Sequence, residues 1–251
     1  HWCGRCQRDK RCVLTERYVE GSSWSAQQIE DQLWVGELTL ADSKKHDESA
    51  FSVDFTFGCI ESLTGLFRTQ LADGIMGMNA DSRTLISQLA QAGKIKERIF
   101  SLCFSETGGT MVIGGYDPSL NKPGSEMFFT PSTLERSAPT VKVMDISLDG
   151  VSIAAGGSVF QSGLNVAVVS GTTDTYLPRA VADGFSAAWE AATGSPYATC
   201  KDNHFCMTWT TAELEALPVL TVHMAEGVEV NVRPEAYMEA SPHEVNAYAP
   251  R

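Results

Sequence analysis

A period of two is the strongest constraint in this chain. Phe51, Val53, Phe55 and Phe57 alternate with Ser52, Asp54, Thr56 and Gly58. Successive side chains of a strand point to opposite faces, so the spacing predicts a strand with one buried face, which must find a sheet. The period returns near the other end. Leu220, Val222 and Met224 alternate with Thr221, His223 and Ala225, and after Glu226 and Gly227 the pattern resumes at Val228, Val230 and Val232. That predicts a hairpin, with Pro234 ending its second strand because proline cannot donate to a ladder. Between Leu33 and Leu40 the apolar positions are 33, 35, 38 and 40. The buried face therefore switches across Gly36 and Glu37, which predicts a bulge or tight turn. Helical spacing is confined to two places. Leu85, Ile86, Leu89 and Ala90 make a stripe that stops at Gly93, and Leu177, Val181, Phe185 and Trp189 repeat every fourth residue, with Pro178 to start the helix and Gly194 to end it. The expectation is an all-β chain with a few short helices.

At 251 residues, with 43% hydrophobic and 20% charged, the chain can bury a large core as one big domain or two moderate ones. Pro118, Pro123, Gly124, Pro131 and Pro139 punctuate the stretch from Asp117 to Pro139, the best candidate for a linker between two β-rich halves. A formal charge of -12, from 19 basic and 31 acidic residues, repels phosphate backbones and anionic lipid, which argues against nucleic acid as a partner. No apolar run approaches the roughly 18 residues of a membrane span. The chain opens at His1 and Trp2 without a targeting pattern and closes at Arg251, so the expectation is a piece of something longer.

Seven cysteines, at positions 3, 6, 12, 59, 103, 200 and 206, cannot all pair within the chain. Cys3, Cys6 and Cys12 with His1 resemble half a zinc site, and Cys200, His204 and Cys206 are the only other half on offer, at spacings that match no compact zinc module. Disulfides are the preferred reading, in keeping with a secreted or luminal chain, and no metal or other cofactor is expected. Cys200 with Cys206 is the favoured local pair. Cys59 and Cys103 each follow an apolar strand-like run and are either bridged between strands or two buried free thiols.

The stretch Ala167-Val168-Val169-Ser170-Gly171-Thr172-Thr173-Asp174-Thr175-Tyr176-Leu177-Pro178 carries the most chemistry. An apolar strand runs into a small, hydroxyl-rich turn and then into a helix, which lets backbone approach a ligand closely. This stretch resembles the second active-site loop of the pepsin-like aspartic protease family, whose pattern is apolar-apolar-Asp-Ser/Thr-Gly-Thr-Thr/Ser. Other segments agree in order. Ala72-Asp73-Gly74-Ile75-Met76-Gly77-Met78 resembles the strand that threads behind the first catalytic loop. Ile99 to Phe104 and Gly108 to Gly115 resemble the paired strands that follow, and Tyr18-Val19-Glu20-Gly21-Ser22-Ser23 is similar to the flap tip. The resemblance implies a bilobal fold truncated at both ends: residues 1–124 as the remainder of an N-terminal lobe with its flap, 125–139 as the linker, and 140–251 as an incomplete C-terminal lobe.

In that family two Asp carboxylates share a proton, one activating a water and the other donating to the scissile carbonyl. The resemblance places the second Asp immediately before Ser170, where Val169 stands. Either Val169 replaced it, or one residue was deleted and Val168-Val169 are the apolar pair that precedes it. Deletion is preferred, and the loop of the first Asp is not found upstream of Tyr18. Asp174 is read as an acidic residue at a helix N-terminus rather than a substitute. By resemblance Ser170 ties the catalytic loops together, Gly171, Thr172 and Thr173 face substrate or support the carboxylate, and Tyr18, Gly21 and Ser22 form the flap, with Tyr18 otherwise a cross-strand aromatic and Trp24 a packing residue. The five histidines show no metal or triad spacing, and His223 falls on the polar face of its strand. The expectation is an aspartic endopeptidase family member acting on extended peptides as a monomer. It would reside in a secretory or endolysosomal or vacuolar lumen, with a membrane anchor left open in an unseen C-terminal segment. The chain as it stands is expected to be inactive. The competing reading is a noncatalytic pepsin-fold module that binds protein, as an inhibitor does, and a truncated or misassembled gene model would reconcile the two.

Overall fold

The computed structural model describes residues 5–6, 12–18, 21–36, 52–105, 107–135, 138–154, 159–160, 163–172, 175–197, 207–240 and 247–250. Thr173, Asp174, Cys200, Cys206 and residues 37–40 lie outside them. The chain divides into two compact units, His1–Ser125 and Glu126–Arg251.

In the first unit β1 (Arg5–Cys6), β2 (Cys12–Arg17), β3 (Ser23–Trp34) and β4 (Ser52–Leu63) form an antiparallel sheet in sequence order. The period-two segment is the front half of β4, which pairs Val53 with Leu33 and Phe57 with Ile29. Val53 is buried and Asp54 exposed, as the alternation requires. β4 runs on to Leu63, beyond Gly58, where a side chain would meet the Cβ of buried Ala26 at 2.9 Å. β3 stops at Trp34, and Gly36 takes φ +127°, so the switch of face falls at a turn. Helix α1 (Leu85–Gln91) lays Leu85 and Leu89 on Val53, with Leu33, Val35 and Phe55 packed around them. Its start is tied by two buried hydroxyls, Thr84 Oγ1 at 3.0 Å and Ser87 Oγ at 2.8 Å, both donating to the carbonyl of Asp81. Gly93 at φ +68° ends it, which allows Lys94 N–H to reach back to Leu89 O at 2.8 Å. A hairpin of β5 (Phe100–Ser105) and β6 (Gly108–Ile113) completes the unit.

Residues 72–78 depart from expectation, forming no strand and no ladder among the described residues. Ile75 is 53% and Met76 48% exposed. An apolar run becomes a strand only when another strand takes up its backbone groups, and no described strand does.

The second unit is built on β8 (Ala138–Leu148), against which β7 (Ser132–Glu135) folds back. Part of the 125–139 segment is therefore strand. β8 also pairs with β9 (Val151–Ser152) and β10 (Leu164–Ala167). Helix α2 (Arg179–Thr193) lies between the predicted Pro178 and Gly194, the latter at φ +72° with its N–H on Glu190 O. Its four-residue stripe supplies Val181 and Trp189, each 1% exposed, to a cluster with Val143, Ile146, Leu148 and Ile153. β11 (Met207–Thr208) precedes α3 (Thr211–Glu215). The Thr210 side chain and Glu213 cap α3 reciprocally, a Thr-x-x-Glu box readable in the sequence but overshadowed by the weak apolar period of so short a helix. The predicted hairpin is β12 (Leu220–Met224) and β13 (Glu229–Val232), with Leu220 opposite Val232 and Glu226 at φ 63° in the turn. Pro234 follows, opening α4 (Pro234–Tyr237). β14 (Met238–Ala240) and β15 (Ala247–Pro250) pair beside β11.

Candidate functional site

The hydroxyl-rich loop leaves the sheet at a well-held point. β10 is antiparallel to β8, with Val166 opposite Val141 and Ala167 opposite Thr140. Thr140 is buried, and its hydroxyl lies 2.8 Å from Thr133 Oγ1 and 3.1 Å from Thr133 O, pinning β7 to β8 at that level. One further bond, Val168 N–H to Pro139 O at 3.0 Å, ends the ladder. Val168 is 59% and Val169 52% exposed, and Ser170, Gly171 and Thr172 are exposed too. A side chain added at Gly171 would meet nothing within 4 Å, so the backbone is open to an incoming group. Tyr176 projects 77% exposed just before Leu177 returns to the core and α2 begins. Strand, loop and helix thus follow as the sequence predicts. The described loop residues, 168–172, offer hydroxyls and backbone amides but no carboxylate.

The second expected region lies in the first unit, at the tip joining β2 to β3. Tyr18 N–H donates to Ser22 O at 2.8 Å, and Gly21 N–H to Tyr18 O at 3.0 Å, with Gly21 at φ +98°, a conformation that favours glycine. Ser22 is 2% exposed, and its Oγ accepts the N–H of Leu66 at 3.0 Å, anchoring the tip. The Tyr18 ring meets Phe67 edge-on at 5.1 Å, and its hydroxyl accepts from Trp24 Nε1 at 3.4 Å. Trp24 therefore orients Tyr18 in addition to packing. Tyr18 and Ser22 are brought together, and Val19 and Glu20 lie outside the described residues.

Ionisable groups with displaced pKa values stand elsewhere. The Asp81 carboxyl is lowered to about 2, chiefly by its side-chain hydrogen bond with Arg83, 2.8 Å away, helped by the Arg83 backbone N–H. It sits at an open groove of about 440 Å³ in the first unit, among Leu33, Phe55, Ile75 and Met76. Burial pushes Tyr197 up to about 12 and raises Tyr237 further, the latter hydroxyl donating to Pro218 O at 2.6 Å. Both rings pack edge-on against Trp189 and are structural.

The cysteine expectations need correction. Cys59 and Cys103 are both free, not bridged, and both exposed rather than buried. They stand on β4 and β5, strands of separate sheets, and their side chains face solvent. Cys12 is disulfide-bonded. No group of three metal-ligating side chains occurs among the described residues, and no helix there is long and apolar enough to cross a membrane. His223 bonds Ser147 and Glu229, a relation 76 residues long on one side that spacing alone does not reveal.

Comparison with known proteins matches residues 1–115 to the family model described as xylanase inhibitor N-terminal and residues 140–246 to xylanase inhibitor C-terminal. Aspartic proteinase 39 of Arabidopsis thaliana is 26% identical over 237 residues, covering 93% of this chain and 47% of that protein. Aspartic protease 5 of Toxoplasma gondii is 32% identical over 129 residues, which is 49% of this chain and 13% of that protein. The chain thus spans about half the length, 47%, of the Arabidopsis relative. Among solved structures, basic 7S globulin from soybean superposes with a TM-score of 0.67 at 18% identity, covering 99% of this chain and 65% of that one.

Proposed function

The chain belongs to the pepsin-like aspartic protease family and has its mostly β fold, and from that premise we propose that residues 170–173 form the peptide-facing loop of an aspartic endopeptidase. One observation carries the reading: the strand Leu164–Ala167 and the helix Arg179–Thr193 present Ser170, Gly171 and Thr172 in the open, in the order the family loop requires. Hydroxyls and amides there would bind an extended peptide backbone, and the Tyr18 hairpin would serve as the flap. Hydrolysis in the family needs one carboxylate as base and another as acid, titrating as a unit. Position 169 is Val, which has no proton to give or take. The chain as it stands would bind peptide without cleaving it, as a monomer in a secretory, endolysosomal or vacuolar lumen.

The purified chain should therefore release no product from a peptide at acid pH. Cleavage blocked by a pepstatin-type inhibitor would overturn the inactive reading. Failure to bind any extended peptide or pepstatin-type ligand would overturn the peptide-facing assignment of the loop.

A further inference from the structure

Among the described residues β5 and β6 pair only with each other. A two-stranded ribbon is marginal in water unless something packs on it or widens it. Side chains alternate across this one. Phe100, Leu102 and Phe104 share one face with Ile113 and Met111, while Ser101, Cys103 and Ser105 share the other. Toward the tip the apolar face lies open, with Leu102 39% and Phe104 73% exposed.

The hydrogen-bond phase fixes what the outer edge of β5 can do. Gly114 N–H donates to Ile99 O at 2.8 Å, one step beyond the pair of Phe100 and Ile113. Bonded pairs alternate along an antiparallel ladder, so Ser101, Cys103 and Ser105 turn their backbone groups toward β6, and Phe100, Leu102 and Phe104 turn theirs outward. Gly109 on β6 agrees, since a Cβ there would meet the carbonyl oxygen of Cys103 at 2.6 Å.

Sheet edges are ordinarily blunted by charge or proline. Residues 99–105 have neither, although the whole chain carries -12. Arg98 precedes the strand and Glu106 follows it in the sequence. A second β5 running antiparallel therefore meets no like charge along the strand and sets opposite charges toward each other at both ends. The phase requires both members of a bonded pair to be outward residues, and the exposed part of β5 is 102–105. The register that bonds both outward residues of that part sets Leu102 of each copy opposite Phe104 of the other. Cys103 then meets its own counterpart in a non-bonded pair, where Cα atoms stand about 4.5 Å apart, within the span of a disulfide. Its thiol is free and exposed.

We infer that the outer edge of β5 is a docking surface for a second copy of this chain, the two hairpins joining as one four-stranded antiparallel sheet with Cys103 on the two-fold axis. Dilution returns the single chain, so the monomer proposed as the peptide-binding form is the other side of one equilibrium. The pairing does not depend on what the 168–172 loop binds.

Sedimentation of the full chain under reducing conditions, from about 1 to about 100 μM, should show dimer growing with concentration. Leu102→Lys and Phe104→Lys, each checked for an unchanged melting curve, should weaken that association at least about tenfold. A chain that stays monomeric throughout, or a dimer indifferent to both substitutions, would overturn the proposal. Oxidised glutathione reads the register on chains that carry no added lysine. One Cys103 thiolate attacks this small disulfide and releases a glutathione thiolate; the Cys103 thiolate of the second copy then displaces the other, so one disulfide forms between copies as one is reduced to two thiols. The covalent dimer should be lost in Cys103→Ala and kept in Cys59→Ala, which removes the other free, exposed thiol. A crosslink that needs Cys59 and not Cys103 would overturn the pairing.

Discussion

The two units use the same elements, an antiparallel sheet with a helix against one face, and bury them to different extents. In the second, α2 lays Trp189 and Val181 into a cluster that reaches from Val143 on β8 to Met238 on β14. In the first, α1 covers only the stretch around Val53, while Ile75 and Met76 remain exposed beside an open groove. The difference comes from helix length and sheet order. The fifteen residues of α2 pack against β8, a strand paired on both sides, whereas the seven of α1 pack against β4, which ends its sheet among the described residues. The loop after β10 therefore springs from a closed core, and the Tyr18 tip from a thinner support that relies on hydrogen bonds such as Leu66 N–H to Ser22 Oγ.

Four changes should break or sharpen that contrast. Trp189→Ala opens a cavity beneath two tyrosine rings and should cost about 3–5 kcal/mol, read as an early-unfolding second unit in hydrogen exchange. Leu89→Ala removes a third of the small buried cluster but next to an already open region, so about 2 kcal/mol is expected, at the low end for such a change. Chemical denaturation should show the smaller loss, and a cost equal to that of Trp189→Ala would erase the proposed asymmetry. Thr210→Ala deletes the hydroxyl of the α3 capping box and should cost about 1 kcal/mol, a few degrees in a melting curve. The smallest effect is electrostatic. Asp81 has its folded pKa depressed to about 2, so its contribution is present above its ordinary value of 3.8 and is lost as pH falls from there toward 2. Solvent screening at this partly exposed pair limits it to less than about 1 kcal/mol. Asp81→Asn should lower the neutral plateau of the first unit's stability by that small amount and flatten its acid limb.

Local pattern made much of this legible. The alternation over 52–58 became the start of β4, the hairpin at 220–232 formed with its turn at Glu226 and Gly227, and both apolar stripes became helices ending at the glycines foreseen. Such elements follow from residues a few positions apart. Residues 72–78 failed to form a strand because an apolar run alone says nothing about whether a partner strand is present to accept its backbone. Cys59 and Cys103 could not be paired by reading for the same reason: bridging depends on which sheet each strand joins, and these two join different ones.

What the sequence determined by itself is therefore the alternating strands within 52–58 and 220–232, the two longer helices with their glycine ends, and the strand-loop-helix order around Ser170 with Val169 before it. Those depend on side-chain period and on backbone preferences of glycine and proline, which act within a turn or two. Only the tertiary structure decided which residues meet across strands. His223 reaches Ser147 and Glu229 because β12 lies between β8 and β13 in one register. A slip of one residue would turn His223 to the opposite face, into the apolar core, and no local pattern forbids it.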